Sequence, residues 1–293
     1  MTRILLSFGH GYSAQALSRL LVPRGWRVIG TTRSADTAQP LRDSGAEPLL
    51  FPAETDPAPV LAALAEATEL LVSIAPGRGG DPVLTRLRAQ IEDRAPRLRW
   101  AGYLSTTGVY GDHQGGWVDE TTPLTPGTLR GQWRKAAEEA WAAVPGLPLH
   151  IFRLAGIYGP GRGPFAKVRN GTARRIIKPG QVFSRIHVED IAQTLLASID
   201  RPDPGAVYNL CDDDPAPPQE VIAHAARLLS RPVPPAIPFE QADMTPLARS
   251  FYAESKRVRN DRIKRELGIR LIYPTYREGL AAMAAAPEPA GSG

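Results

Sequence analysis

Two groups of residues in this chain have types and spacings suited to holding anions. The first is Gly9-His10-Gly11-Tyr12-Ser13-Ala14. In a G-x-G-x-x-A run the first glycine permits a tight turn and the second lets the backbone approach a bulky phosphate. The small third residue lets a helix pack closely on a strand. A helix that opens on such a turn presents free N–H groups and a positive dipole end. The second group is the stretch 140–188, which holds eight Arg or Lys and no Asp or Glu. Within it, Arg162, Arg174, Arg175, Lys178 and Arg185 are candidate contacts for a phosphate or carboxylate. A solvated basic loop is the plain alternative. Residues 1–35 also contain five Arg and no acid. No nucleic-acid recognition module accompanies these charges, so two local anion sites fit them better than a nucleic acid does.

These groups need elements to position them. Ile4–Phe8 reads as a short apolar strand. The helix after the glycine turn has Leu17, Leu20 and Leu21 on one face, Gly25 ends it, and Trp26–Thr32 reads as a second strand. Strand, glycine turn, helix and strand within about 30 residues is a unit that forces parallel pairing. Further strands are expected at Pro48–Phe51, Leu70–Ile74, Trp100–Ser105 and Leu149–Leu154, with helices at 58–67, 82–94 and 130–143. The alternation predicts an α/β fold, a Rossmann-type doubly wound parallel sheet. After residue 158 the rhythm changes. Segment 159–186 is rich in Gly, Pro and Arg, and helices are expected at 188–199, 217–229 and 259–267. The expected division is a dinucleotide-binding domain over 1–158, with 185–210 returning to it. A smaller C-terminal α/β substrate lobe takes 159–184 and 211–286, and 287–293 is expected to be a disordered tail.

The context of the glycine turn points to a dinucleotide. Sites for NAD usually carry an acid about 20 residues on, for the ribose 2′-hydroxyl. Here the second strand ends Thr31-Thr32-Arg33-Ser34 and no carboxylate precedes Asp36. An acid would repel a 2′-phosphate and Arg33 can grip one, so NADP is expected over NAD.

Later motifs carry a family resemblance. Ser105-Thr106-Thr107-Gly108-Val109-Tyr110-Gly111, Arg153-Leu154-Ala155-Gly156-Ile157-Tyr158-Gly159-Pro160-Gly161 and Arg185-Ile186-His187-Val188-Glu189-Asp190-Ile191-Ala192 resemble, in order, signatures of the extended short-chain dehydrogenase/reductases, the NAD-dependent epimerase/dehydratase family. The shortened glycine pattern is similar to the atypical branch of that superfamily. The resemblance implies a Rossmann domain with a small substrate lobe, often paired into dimers. The expected cofactor contacts are Gly9, Gly11, Tyr12, Ser13, Ala14, Thr32, Arg33, Ser34, Ala75, Pro76, Thr106, Arg134, Leu154, Ala155 and Gly156. Thr106 matches the residue that hydrogen-bonds a substrate oxygen. Tyr110 is a weak candidate for proton transfer, and His187 reads as a buried, hydrogen-bonded residue.

The same resemblance exposes a departure. The family's Tyr-x-x-x-Lys pair is expected on the helix near 130. Aligned on Gly131 and Glu138, the two positions hold Arg130 and Arg134. A shift by one recovers Lys135 but puts Gly131 in the tyrosine's place. A guanidinium does not release its proton near neutral pH, so Arg130 cannot take over acid–base work. Tyr252 and Lys256 form the chain's only Tyr-x-x-x-Lys, and their place beyond the sheet, in the C-terminal lobe, reads as coincidence.

The chain's 293 residues, net charge +5 and single cysteine, Cys211, leave room for a large core and rule out an internal disulfide. No metal site is expected. No apolar run approaches the roughly 20 residues of a membrane helix, and a cytoplasmic monomer or homodimer is expected. The leading functional expectation is an NADP-dependent oxidoreductase or epimerase-like enzyme acting on a small anionic substrate. The alternative is a non-catalytic NADP-binding redox sensor or regulatory protein.

Overall fold

A computed structural model describes residues 2–51 and 56–286, and the expected disordered tail at 287–293 lies outside the described residues. The centre of the molecule is a seven-stranded parallel sheet. Its strands are β1 (Ile4–Phe8), β2 (Arg27–Thr32), β3 (Glu47–Leu50), β4 (Glu69–Val72), β5 (Trp100–Thr106), β6 (Leu149–Leu154) and β7 (Val207–Leu210). They lie in the order β7-β6-β5-β4-β1-β2-β3. Connections run outward from β1 in one direction and restart at β4 in the other, which opens a crevice beyond the carboxyl ends of β1 and β4.

Side chains of these strands alternate between two apolar layers, as a period of two requires. Leu5, Val28, Leu71, Leu104 and Phe152 face α1 (Tyr12–Leu21) and the later helix Val188–Asp200. Leu6, Phe8, Leu70, Val72, Tyr103 and Ile151 face the helices Ala58–Glu66, Leu84–Arg94 and Leu129–Ala142. The small residues Ala16 and Ala192, with Val188, form the seam where α1 meets the helix Val188–Asp200. After Leu21 the chain tightens into a 3-10 turn at Val22–Arg24, and Gly25, at φ +78°, reverses it into β2.

A third apolar cluster lies beyond the sheet. Tyr158, Phe165, Val168, Val221, Ala225, Tyr276 and Leu280 build it from short segments after β6 and from the helices Pro218–Leu228 and Tyr276–Ala285. Pairs of two- and three-residue strands tie distant segments together: Gly156–Tyr158 with Arg185–His187, Arg175–Ile177 with Ala236–Pro238, and Trp117–Val118 with Arg257–Val258. Among the described residues no helix is long and apolar enough to cross a membrane.

Candidate active site

The carboxyl ends of β1, β4, β5 and β6 open on one cleft of about 1660 Å³. The glycine turn forms its floor. Gly9 sits at φ +78°, and a Cβ there would stand 2.7 Å from Ile74 Cγ1. Both the backbone conformation and the neighbour demand glycine. The Gly9 amide donates to Thr31 Oγ1 at 2.7 Å, and the His10 amide donates to the Thr31 carbonyl at 2.9 Å. Gly11 differs. Its φ is −89°, and the nearest atom to a Cβ there would be the Gly9 carbonyl oxygen at 3.8 Å. No packing among the described residues therefore requires glycine at 11. The space above it is open to the cleft, and the first turn of α1 carries neither a side-chain cap nor an acid. That combination fits a pyrophosphate, which takes the free helix amides and leaves no room for a Cβ.

The expected cofactor residues fall into three groups. Gly9, Gly11, Tyr12, Ser13, Ala75, Pro76, Thr106, Arg134, Leu154, Ala155 and Gly156 all line the cleft. Ala14 lies in the core under α1, where its small size lets the helix sit close to the sheet. Thr32, Arg33 and Ser34 stand at the end of β2, on the far flank of the glycine turn and outside the cleft. Arg33 is exposed there and makes no ion pair among the described residues.

The helix Leu129–Ala142 supplies the opposite wall. Thr128 caps it by accepting the Gly131 amide at 3.2 Å. Arg130 and Arg134 both reach the cleft, whereas Lys135 turns to Glu139 at 2.6 Å. Arg130 is exposed and unpaired among the described residues. Arg134 is held by the Leu104 carbonyl at 2.8 Å and the Tyr103 hydroxyl at 3.2 Å. Thr106 ends β5, and its Oγ1 accepts the Gly108 amide at 3.2 Å. The Thr106 hydroxyl proton has no acceptor among the described residues and is left for the cleft.

Three expectations need correction. Tyr110 does not reach the cleft. Its hydroxyl donates to Asn209 Oδ1 at 2.7 Å and accepts from Arg153 at 3.0 Å, and burial pushes its phenol up to about 12. Arg153 in turn pairs with Glu138 at 2.8 Å, both side chains nearly fully buried, and Ser105 donates to Glu138. The tyrosine is thus a strut between β5, β6, β7 and the helix Leu129–Ala142.

The second correction concerns the basic segment. Arg162, Arg174 and Arg185 line the cleft, but Arg175 and Lys178 do not. Arg175–Ile177 is a strand, so its neighbours alternate: Arg174 and Ile176 face the cleft and Arg175 faces away, donating to the Pro234 carbonyl at 3.3 Å. Lys178 is spent on the Tyr252 carbonyl and the face of Phe239. Arg162 lies over the Tyr12 ring, 5.7 Å from its centroid, at the glycine-turn end of the cleft. Lys167, not singled out from sequence as a contact, also lines it.

Third, Tyr252 and Lys256, although beyond the sheet, stand at the cleft. They share the cleft with Thr106, together with Glu254. Their spacing is not helical, because a 3-10 turn at Phe251–Ala253 passes into extended chain. Nothing local in the sequence signals this placement.

His187 meets its expectation. It is buried, its Nδ1 accepts the Glu189 amide at 3.3 Å, and its ring packs on Tyr158 and Tyr273.

The Gly turn at the switch point of a β7-β6-β5-β4-β1-β2-β3 sheet, with a hydroxyl at the end of β5, defines a dinucleotide-binding α/β protein. No family model matches the chain. Individual proteins do. A conserved protein of unknown function from Silicibacter pomeroyi is 65% identical, with a TM-score of 0.91 over 97% of this chain and 99% of that one. Protein YeeZ of Escherichia coli K12 is 31% identical over 214 residues, 69% of this chain and 75% of its own length. A structure assigned to the NAD-dependent epimerase/dehydratases, from Methylobacillus flagellatus, is 25% identical with a TM-score of 0.73 over 97% and 98% of the two chains. A 3-diazoavenalumate denitrifying reductase from a Streptomyces species is 29% identical over 181 residues, 56% of this chain and 58% of its own. The chain is thus a relative of Protein YeeZ, and it shares its fold with the NAD-dependent epimerase/dehydratases.

Proposed function

We propose that the protein is an NADP-dependent oxidoreductase of this family, acting on a small anionic substrate without the family's acid–base tyrosine. One observation carries the reading: Gly11 is a glycine that only a ligand requires, at the floor of a cleft whose wall bears the free hydroxyl of Thr106. The nicotinamide cofactor, when bound, supplies the hydride carrier. The chain's own residues do the rest. The amides of α1 hold the pyrophosphate, and Arg162, stacked on Tyr12, adds a positive charge beside it. Arg33 takes the 2′-phosphate beyond the end of β2. Thr106 donates to a substrate oxygen. Arg134, anchored on β5, keeps fixed positive charge near the position where the family has lysine.

In the Arg130–Arg134 register a guanidinium takes the position of the family's phenol. Arg130 can stabilise negative charge on a substrate but cannot pass it a proton. Lys167 and Arg174, on the cleft's outer wall, receive the substrate's phosphate or carboxylate. The Streptomyces relative is a reductase, which supports an enzyme. Arg130 itself favours the second reading, a cofactor-binding sensor that has lost turnover.

The test is ligand binding followed by turnover. Isothermal titration of wild type with inorganic phosphate and simple carboxylates should give saturable binding that Lys167→Ala with Arg174→Ala weakens about tenfold or more. The double variant should melt normally. A set of anionic carbonyl compounds should include one that wild type reduces with NADPH. Tight NADPH binding with no turnover against any of them would favour the sensor.

A further inference from the structure

The segment Glu254–Val258 crosses the cleft wall in extended form, and its side chains alternate. Glu254, Lys256 and Val258 face the cleft. Ser255 and Arg257 face away and fasten the strap: the Ser255 amide donates to Asp112 Oδ1 at 2.8 Å, Ser255 Oγ to the Gly180 carbonyl at 2.9 Å, and the Arg257 amide to the Gly116 carbonyl at 2.8 Å. The Glu254 carbonyl accepts from Gln181 Nε2 at 2.7 Å. The strap is therefore rigid where it meets the cleft.

Glu254 and Lys256 pair at 2.8 Å, with side chains only 13% and 10% exposed. A buried ion pair is no more stabilising than apolar residues of the same size, so its presence calls for another reason. Glu254 Oε1 is buried and has no hydrogen-bond partner among the described residues. Lys256 Nζ donates one bond to Glu254 and has two further protons. A carboxylate oxygen that only accepts, beside an ammonium that only donates, makes a site of no net charge. It suits a group that both gives and takes a hydrogen bond. Glu254 Oε1 lies 3.7 Å from where a Cβ on Gly127 would stand, so the site adjoins the turn that leads into Thr128 and Arg130.

We propose that Glu254 and Lys256 form a substrate subsite for a hydroxyl group, alcohol or phenol. It is distinct from the anion contacts at Lys167 and Arg174. The hydroxyl donates to Glu254 Oε1 and accepts from Lys256. This rests on the reading of the cleft as a substrate site. It narrows the substrate to a molecule bearing a free hydroxyl, flat enough to lie along Phe251 and Tyr252, which line the same wall.

The experiment uses full-length protein loaded with NADPH and two probe sets, each titrated calorimetrically. One set is anionic, benzoate with 3- and 4-hydroxybenzoate. The other is neutral, acetophenone with 3- and 4-hydroxyacetophenone. In wild type at least one hydroxylated probe of each set should bind about tenfold tighter than its parent. The isosteric Glu254→Gln should erase most of that preference and leave the parents unchanged. The double variant Glu254→Leu/Lys256→Met removes the pair without stranding a charge, and should erase it too. NADPH-induced thermal shifts report that both variants are folded. A Glu254-dependent preference in the neutral set, with no binding of any of the three benzoates, upholds the hydroxyl subsite and sinks the anionic-substrate reading. No preference in either set, or one that survives both variants, overturns the subsite.

Discussion

Gly131, in the first turn of the helix Leu129–Ala142, lies against the carbonyl oxygen of Gly108: a Cβ on Gly131 would stand 2.9 Å from that oxygen and 2.7 Å from Pro126 Cβ. This contact bears on the register left open by the sequence. Nothing larger than glycine fits at 131 without displacing backbone, which favours the register that sets Arg130 at the expected tyrosine position. Arg130 and Arg134 are then one turn apart on the cleft face. Gly131→Ala should destabilise the protein by about 1–3 kcal/mol through this clash, measured by urea denaturation. Wild type should not reduce simple neutral aldehydes and ketones with NADPH. Arg130→Tyr combined with Arg134→Lys should gain weak activity on them. Robust wild-type turnover of neutral carbonyls, titrating near neutral pH, would mean another group supplies the proton.

The two glycines of the turn should respond differently. Gly9→Ala meets both an unfavourable φ and Ile74. It should cost stability even without ligand, by about 1–3 kcal/mol. Gly11→Ala has an ordinary φ and space around it, so its melting temperature should match wild type. It should nevertheless lose most of its affinity for NADPH. A Gly11→Ala protein that binds NADPH as wild type does would remove the pyrophosphate from this floor.

Cofactor choice should turn on Arg33. NADPH at about 100 times its Kd should add about 2.7 kcal/mol of stability, and NADH at the same concentration should add less. Arg33→Ala should narrow that difference by lowering NADPH affinity alone. Equal thermal shifts from the two cofactors in wild type would refute the assignment.

His10 gives a pH dependence with a definite sign. Its ring is buried against Gly30, with Nε2 3.0 Å from Ser18 Oγ, and burial lowers it from 6.5 to about 4. The unfolded chain therefore binds a proton in the window between those values and the folded chain does not. This contribution is complete above pH 6.5 and is lost as pH falls toward 4, by about 3 kcal/mol in all. Asp212, raised by burial to about 8, works in the opposite sense and loses its contribution as pH rises. The informative quantity is the difference between wild type and His10→Asn in chemical denaturation at pH 4.5 and 7. A difference independent of pH would mean that the imidazole is charged when folded.

The sheet was legible because β1, β5 and β6 are short apolar runs set between glycine and helix signals, and their observed limits differ from the expected ones by one residue at most. The helix Tyr276–Ala285 was overlooked, although Thr275 and Glu278 form a capping box visible as Thr-x-x-Glu. The site was legible where it follows from local pattern, as at Gly9, Gly11 and Thr106. It was misread at Arg175, because a three-residue strand is too short to show alternation, and at Lys178, because its partners Tyr252 and Phe239 come from a distant segment. Glu254 and Lys256 were invisible for a different reason. Their place in the cleft depends on Arg257–Val258 pairing with Trp117–Val118, a contact between segments far apart in the chain that no local propensity reports.

That pairing also sets an order of events at the ribosome. The glycine turn and the first six strands of the sheet lie ahead of residue 155, and β7 completes the sheet by Leu210. The strap that closes the cleft wall is made later still, when Ser255 reaches back to Asp112 across 143 positions. A nascent chain can thus assemble the floor that receives the dinucleotide while its substrate wall is still unsynthesised. Cofactor in the surrounding solution would then act on the growing chain as a folding ligand, before there is any enzyme for it to serve.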